Sequence, residues 1–321
     1  MQNRYLLGIL AVVIIVTAFA FFFAGKTEAN SIKIGAVLPL TGEGTIDQGQ
    51  ASKQAITLAA EKLNSEGGVL GKRVDVIFED SHCDAKTGVT AVNKLISVDN
   101  VDFIIGDICD SVTAAIIPIA EQNKKILVTP GSTSPDISSA GDYIFRFWFS
   151  ENDLGGMNAE KAHEIGYRKM AVIYIDNAWG EAQKNAVSGK FREMGGEIVG
   201  EEKAVESSDF RTILLKLEEK NPDSYYVGVH PFGLASIMKQ MKELNISKQV
   251  FSHGGLVGST QVIGLGTGGI MEGIISPFVY NPSSEFRNEF TARFNTEPGI
   301  TADSSYDIDM SIAKIVIEKG K

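Results

Sequence analysis

With only two cysteines in 321 residues, the chain cannot build a four-thiolate zinc or iron–sulfur centre, though it has enough for one disulfide. Basic residues are also in short supply, because 30 lysines and arginines face 40 acids for a net charge of −10. That balance excludes the basic face with which a nucleic-acid binder neutralises phosphates. The four histidines, at positions 82, 163, 230 and 253, are scattered along the chain. No P-loop, no G-x-S-x-G elbow and no H-E-x-x-H pair is present, so neither a nucleotide-hydrolysing loop nor a hydrolase or zinc enzyme finds support. The absence of short-period repeats and low-complexity tracts excludes solenoid folds. What remains is a chain with 44% apolar and 22% charged residues, able to form real cores beneath an ordinary surface. At roughly 100–200 residues per domain, its length predicts two compact units.

Leu6 to Ala24 is an uncharged run of 19 residues preceded by Arg4, long enough to span a bilayer. The basic start fits a cytoplasmic end with the following chain exported. Residues 1–29 are therefore expected to be a signal peptide, with Thr27-Glu28-Ala29 as a small-x-small cleavage site, or an uncleaved anchor that tethers the protein to the membrane through Leu6–Ala24. No cysteine stands near this boundary to carry a lipid. Either alternative makes the rest extracytoplasmic, in the periplasm or at the cell surface, where disulfides persist.

Beyond Asn30, strand-like and helix-like patterns alternate. Ile32–Leu38 is a short apolar run that stops at Pro39, and Gln50–Leu63 sets Ala51, Ala55, Leu58, Ala59 and Leu63 on one helical stripe. Strands are expected at 74–78, 101–105 and 125–128, with helices at 85–98 and 111–122 between and after them. The second half repeats the scheme, with strands at 170–175, 197–199, 224–229 and 250–252 and helices at 180–194, 209–220 and 231–244. Such βα repeats imply an α/β fold of two lobes, each a parallel sheet flanked by helices. In open parallel sheets, ligands bind beyond the carboxyl ends of the strands, and those exits are rich here in Gly, Ser, Thr and Asp.

Gly264 to Gly269 matches the dinucleotide pattern G-x-G-x-x-G, but its preceding strand is thin and Gly273 breaks the required helix, so the segment reads as a loop. Cys83 and Cys109 each follow an expected strand, at exits taken to be adjacent. A disulfide between them is the leading expectation. A metal site with His82 and Asp84 or Asp110 is the alternative.

Several motifs together resemble the leucine/isoleucine/valine-binding proteins. In the first half these are Leu63-Asn64, Gly67-Gly68-Val69-Leu70-Gly71-Lys72, Ile104-Ile105-Gly106 and Thr129 to Pro135. In the second half they are Ile173 to Asp176 with Trp179-Gly180, and Tyr225-Tyr226 with His230-Pro231. The resemblance runs from about Ile32 to Asp307. It implies a type I periplasmic-binding-protein fold that closes on a small ligand and delivers it to an ABC transporter permease; a membrane-anchored ligand-sensing domain of the same fold is the alternative. No cofactor is expected, and with no identifiable nucleophile–base pair no enzymatic activity is expected either. The resemblance puts lobe 1 at 31–148 plus 278–321 and lobe 2 at 149–277, with crossovers near Phe147–Ser150 and Ser276–Val279. Members usually continue some tens of residues past the position of Lys321, so the return to lobe 2 is expected to be missing. The family's first-lobe disulfide falls on Cys83 and Cys109.

The family's ligand contacts carry over unevenly. Its donor for a ligand α-carboxylate falls on Asp110, and its next contacts fall on the Gly131 backbone and on Thr133, with Ser111 and Ser132 beside them. Its second-lobe aromatic wall falls on Trp179, while its acid for the α-ammonium falls near Gly254 and a tyrosine falls on Val229. Asp110 would repel a carboxylate at the amino end of helix 111–122, so it serves as a helix cap, as a contact for a ligand cation, or as both. The expected ligand is accordingly an amino acid, an amide or a related cation.

Overall fold

The computed structural model describes residues 31–42, 45–205, 209–254, 269–277 and 282–319, so the apolar run Leu6–Ala24 and the glycine motif as far as Gly268 lie outside the described residues. Among those described, no helix is long and apolar enough to cross a membrane.

The first sheet contains β1 (Ser31–Leu38), β2 (Arg73–Asp80), β3 (Phe103–Gly106), β4 (Ile126–Thr129) and β5 (Ile144–Arg146), all parallel in the order β2-β1-β3-β4-β5. Its helices are α1 (Ile46–Ser65), α2 (Ala85–Lys94) and α3 (Asp110–Gln122). From Ile34 onward β1, like the inner strands β3 and β4, reads as a nearly unbroken apolar run because both faces are covered, as parallel sheets require. Ile34, Ala36 and Leu38 of β1 pack on one side with Ile105, Val128 and Ile56, whereas Val37 packs on the other with Ile104, Leu127, Val112 and Ile116. This is the two-residue alternation of a strand turned to two helical layers.

The second sheet runs β7-β6-β8-β9, again all parallel, from β6 (Lys169–Ile175), β7 (Glu197–Ala204), β8 (Ser224–Gly228) and β9 (Gln249–Ser252). Around it lie α4 (Glu151–Ile165), α5 (Ala178–Glu193), α6 (Arg211–Glu218) and α7 (Pro231–Glu243). Ala171, Ile173 and Ile175 join one core with Tyr225 and Val227, and Met170, Val172 and Tyr174 join the opposite one with Tyr226. The last helices, α8 (Ser284–Phe294) and α9 (Ala302–Lys319), return to the first sheet and pack on α1 through Phe286, Phe290 and Tyr306. The α/β architecture with two parallel sheets is the one expected. Four elements, β5, α4, α8 and α9, are not among those expected, although Phe286, Phe290 and Phe294 of α8 and Ile308, Ile312 and Val316 of α9 stand at helical spacing. The helix expected to reach Val98 ends at Lys94 and continues as a π-helical turn over Leu95–Asp99.

Two local devices set the strand exits. The Asn64 side chain donates to the Val74 carbonyl and accepts from the Val74 N–H, both at 2.8 Å, so it ties the end of α1 to the start of β2. Gly49 and Gly180 occupy the first turn of α1 and α5, and a Cβ there would stand 2.1 Å from the Pro39 carbonyl oxygen and 2.0 Å from that of Ile175. Glycine therefore lets each helix start crowd the strand that feeds it.

Cys83 and Cys109 form a disulfide with their Cα atoms 5.6 Å apart. The metal alternative for these cysteines is thereby excluded. One detail differs from expectation: β1 lies between β2 and β3, so the two exits are not neighbours in the sheet, and the bridge spans the end of β1. Closing a loop of 26 residues stabilises by roughly 3 kcal/mol, chiefly by restricting the unfolded chain. Replacing both cysteines with serine should lower the melting temperature by roughly 6–12 °C by differential scanning calorimetry. An unchanged melting temperature would refute this role.

Candidate functional site

A cleft of about 270 Å³ opens where the carboxyl ends of the two sheets face each other. Its walls are segments that follow strands: Cys83 after β2, Ile108 to Ser111 after β3, Gly131 and Thr133 after β4, Asn177 to Trp179 after β6, His230 after β8, and His253 with Gly254 after β9. The first turns of α1 and the segment 296–301 close one side. The topology thus brings to one place six of the seven expected ligand residues: Asp110, Ser111, Gly131, Thr133, Trp179 and Gly254. The seventh, Ser132, does not reach the cleft. It is fully buried behind the wall, where its hydroxyl bonds the Thr113 hydroxyl and the Asp107 and Ile108 carbonyls, because the chain alternates sides through this loop.

Asp110 does not cap α3. The N-cap is Cys109, and the Asp110 carboxylate turns instead to the loop after β4. Its Oδ1 accepts the Thr133 N–H at 2.7 Å and the Ser134 N–H at 3.1 Å, while its Oδ2 accepts the Thr133 hydroxyl at 3.2 Å. Arg146 braces that loop from behind by donating to the Ser134 carbonyl and the Ser138 hydroxyl, each at 2.7 Å. Burial nonetheless raises the Asp110 pKa, and these hydrogen bonds only partly oppose it.

A second carboxylate completes this wall. Glu151 is the first residue of α4, and its N–H donates to the Thr133 carbonyl at 2.8 Å. The side chain is 1% exposed and lines the cleft, and neither oxygen has a hydrogen-bond partner of good geometry among the described residues. Burial pushes its pKa up to about 8, the nearby Asp110 charge adds to the rise, and the neighbouring Thr133 hydroxyl offsets only part of it. Sequence reasoning missed Glu151, although Ser150 before it and the acids of the first turn are helix-start signals.

Opposite stands an aromatic group. Trp179 is stacked on His230, with ring centroids 5.0 Å apart, and meets the edge of His253 at 4.9 Å. Burial lowers the pKa of both histidines, that of His253 to about 4 with a further contribution from His230, so both are neutral at pH 7. Trp148 lines the cleft as well, so both tryptophans of the chain border it.

The buried acids carry a stability consequence. Glu151 ordinarily titrates at 4.5, so the unfolded chain releases this proton well below the pH at which the folded one does. Its contribution is present at low pH and is lost as pH rises from 4.5 to 8. Asp107, raised to about 7, and Asp309, raised to about 8, act with the same sign. The ligand-free protein should therefore melt higher at pH 5 than at pH 8. Glu151→Gln should flatten that decline and raise the pH 8 melting temperature by at least roughly 2–4 °C. A calorimetric pH series in which wild type and variant fall in parallel would contradict the placement of Glu151.

Residues 31–316 match the family described as periplasmic binding protein, and the chain belongs to it. Among curated relatives, the leucine-, isoleucine-, valine-, threonine-, and alanine-binding protein of Pseudomonas aeruginosa is 26% identical, over 95% of this chain and 83% of its own length. The crystal structure of the leucine binding protein LivK from Thermotoga maritima superposes with a TM-score of 0.78 at 25% identity, over 90% of this chain and 84% of that one. An ABC-transporter solute binding protein from Rhodopseudomonas palustris, crystallised with 3,4-dihydroxybenzoic acid, has the same score and identity over 91% and 82%.

Proposed function

We propose that this chain is an extracytoplasmic solute-binding protein that captures a small amino-acid-like ligand between two lobes and hands it to the permease of an ABC importer. The observation that carries this reading is the cleft itself, lined by Asp110, Gly131 and Thr133 from the first sheet's exits and by Glu151, Trp179, His230, His253 and Gly254 from the second half of the chain. Membership of the periplasmic binding protein family supports it, as do relatives named for aliphatic amino acids. The first lobe is residues 31–148 with 278–321 and the second 149–277, a division supported by the separate sheets and by the packing of α8 and α9 on α1. A ligand touching both walls favours the closed arrangement by its differential affinity for it. Residues 1–29 direct export or tether the protein.

Thermal shift over amino acids, amides, amines and simple carboxylates is the direct test. At least one class should raise the melting temperature in a concentration-dependent way. Because both tryptophans border the cleft, the same ligand should change intrinsic fluorescence. Trp179→Ala should weaken its binding by tenfold or more, on the order of 1.4 kcal/mol or above. If the best ligand of the panel bound this variant with unchanged affinity, the cleft would not be its site.

A further inference from the structure

We propose that the cleft selects an organic cation without a free carboxylate, an ammonium or amidinium group held between Asp110 and Glu151 against the two tryptophans. This deepens the solute-binding reading and rests on it. The inference begins with Glu151, a residue of the cleft lining whose carboxylate is buried and lacks a hydrogen-bond partner of good geometry among the described residues. An ionised carboxylate in that position is strongly disfavoured unless a cation compensates it. Among the described residues none is supplied at the cleft, whose lining includes four acids, Asp47, Asp110, Glu151 and Glu297, and no lysine or arginine. Arg146 feels the Asp110 charge, but its guanidinium is committed to the loop 134–138.

The same geometry disfavours a ligand carboxylate. The N–H groups of Thr133 and Ser134 and the Thr133 hydroxyl are loop donors suited to an anion, and Asp110 already occupies all three. The amino end of α3 at Ser111 keeps its partial positive charge, but Asp110 stands beside it with a full negative one when ionised. Trp148 and Trp179 offer ring surfaces of the kind that attract alkylammonium groups. Among the described residues, no three His, Cys, Asp or Glu side chains gather to hold a metal, so an organic cation suits the pair better than a bare ion.

Binding should be linked to the proton on Glu151. The charged and titratable groups acting on Glu151 are Asp110 from α3 and Tyr226 from β8, whose own pKa is raised mainly by burial. Arg146 stands behind Asp110, and the neutral His230 and His253 complete the cleft. A cation displaces the proton that the empty cleft retains near neutrality.

Isothermal titration with choline, putrescine and guanidinium, set against leucine, glycine betaine and benzoate, tests the proposal on the wild-type protein. Choline keeps its charge at every pH used, so its affinity should rise about tenfold or more between pH 6 and pH 9. Glu151→Gln should remove that rise and weaken choline about tenfold or more. Should the variant fail to fold, the wild-type pH series carries the test alone. Tighter binding of leucine, betaine or benzoate than of all three cations would overturn the proposal and leave the solute-binding reading intact, as would choline affinity independent of pH. No binding by any of the six would count against both.

Discussion

Thr133 binds both acidic residues of the cleft wall at once, Asp110 through its carboxylate and Glu151 through its main chain, and the geometry of that wall depends on the arrangement. Its N–H and hydroxyl donate to Asp110, while its carbonyl accepts the N–H of Glu151. One residue thereby joins the start of α3, the loop after β4 and the start of α4. The Thr133 and Ser134 donors are taken by Asp110, and the Glu151 carboxylate is left without one among the described residues. This wall is consequently acidic in composition, whatever the sign of the protein as a whole.

The opposite wall obeys the same backbone logic with different side chains. Gly49 and Gly180 let α1 and α5 start against the exits of β1 and β6, and Trp179 rides on the second of these close approaches. A side chain at either glycine would push the helix start away and move the cleft wall with it. The disulfide steadies the first sheet's exits at the same level, because Cys83 and Cys109 line the cleft beside Asp110. The shape of the cleft is thus set by main-chain packing at strand exits.

Much of this was legible in the sequence, for physical reasons that also explain the gaps. Parallel strands buried on both faces leave apolar runs such as those of β1 and β6, and glycine-rich turns mark where they end. The topology sets six of the seven exit residues named from the sequence along the cleft. Helix α4 escaped because its buried face is built from Leu154, Gly155, Asn158, Ala159 and Ala162, small or polar residues that make no large apolar stripe. Helix α9 differs, for after the buried Ser304 and Ser305 its Ile308, Ile312 and Val316 form a readable stripe. With α4 unread, Glu151 had no place in the fold and could not be set beside Asp110. The sidedness of Ser132 was equally hidden, since it depends on hydrogen bonds to Asp107 and Ile108 that no local pattern announces.

Burial and the want of a partner do not by themselves make a ligand group, as Asp309 shows. Like Glu151 it is buried, its oxygens make no hydrogen bond among the described residues, and its pKa is pushed up to about 8. Yet Asp309 sits on α9 away from the cleft, where burial alone accounts for its shift, so protonation is the response open to it. Asp107 takes a third course, accepting the Cys109 N–H at 2.7 Å beneath the cleft floor. Glu151 differs from both in lining the cleft together with a second acid, Asp110. Its position therefore makes its protonation state answerable to a ligand, whereas the other two answer only to the fold.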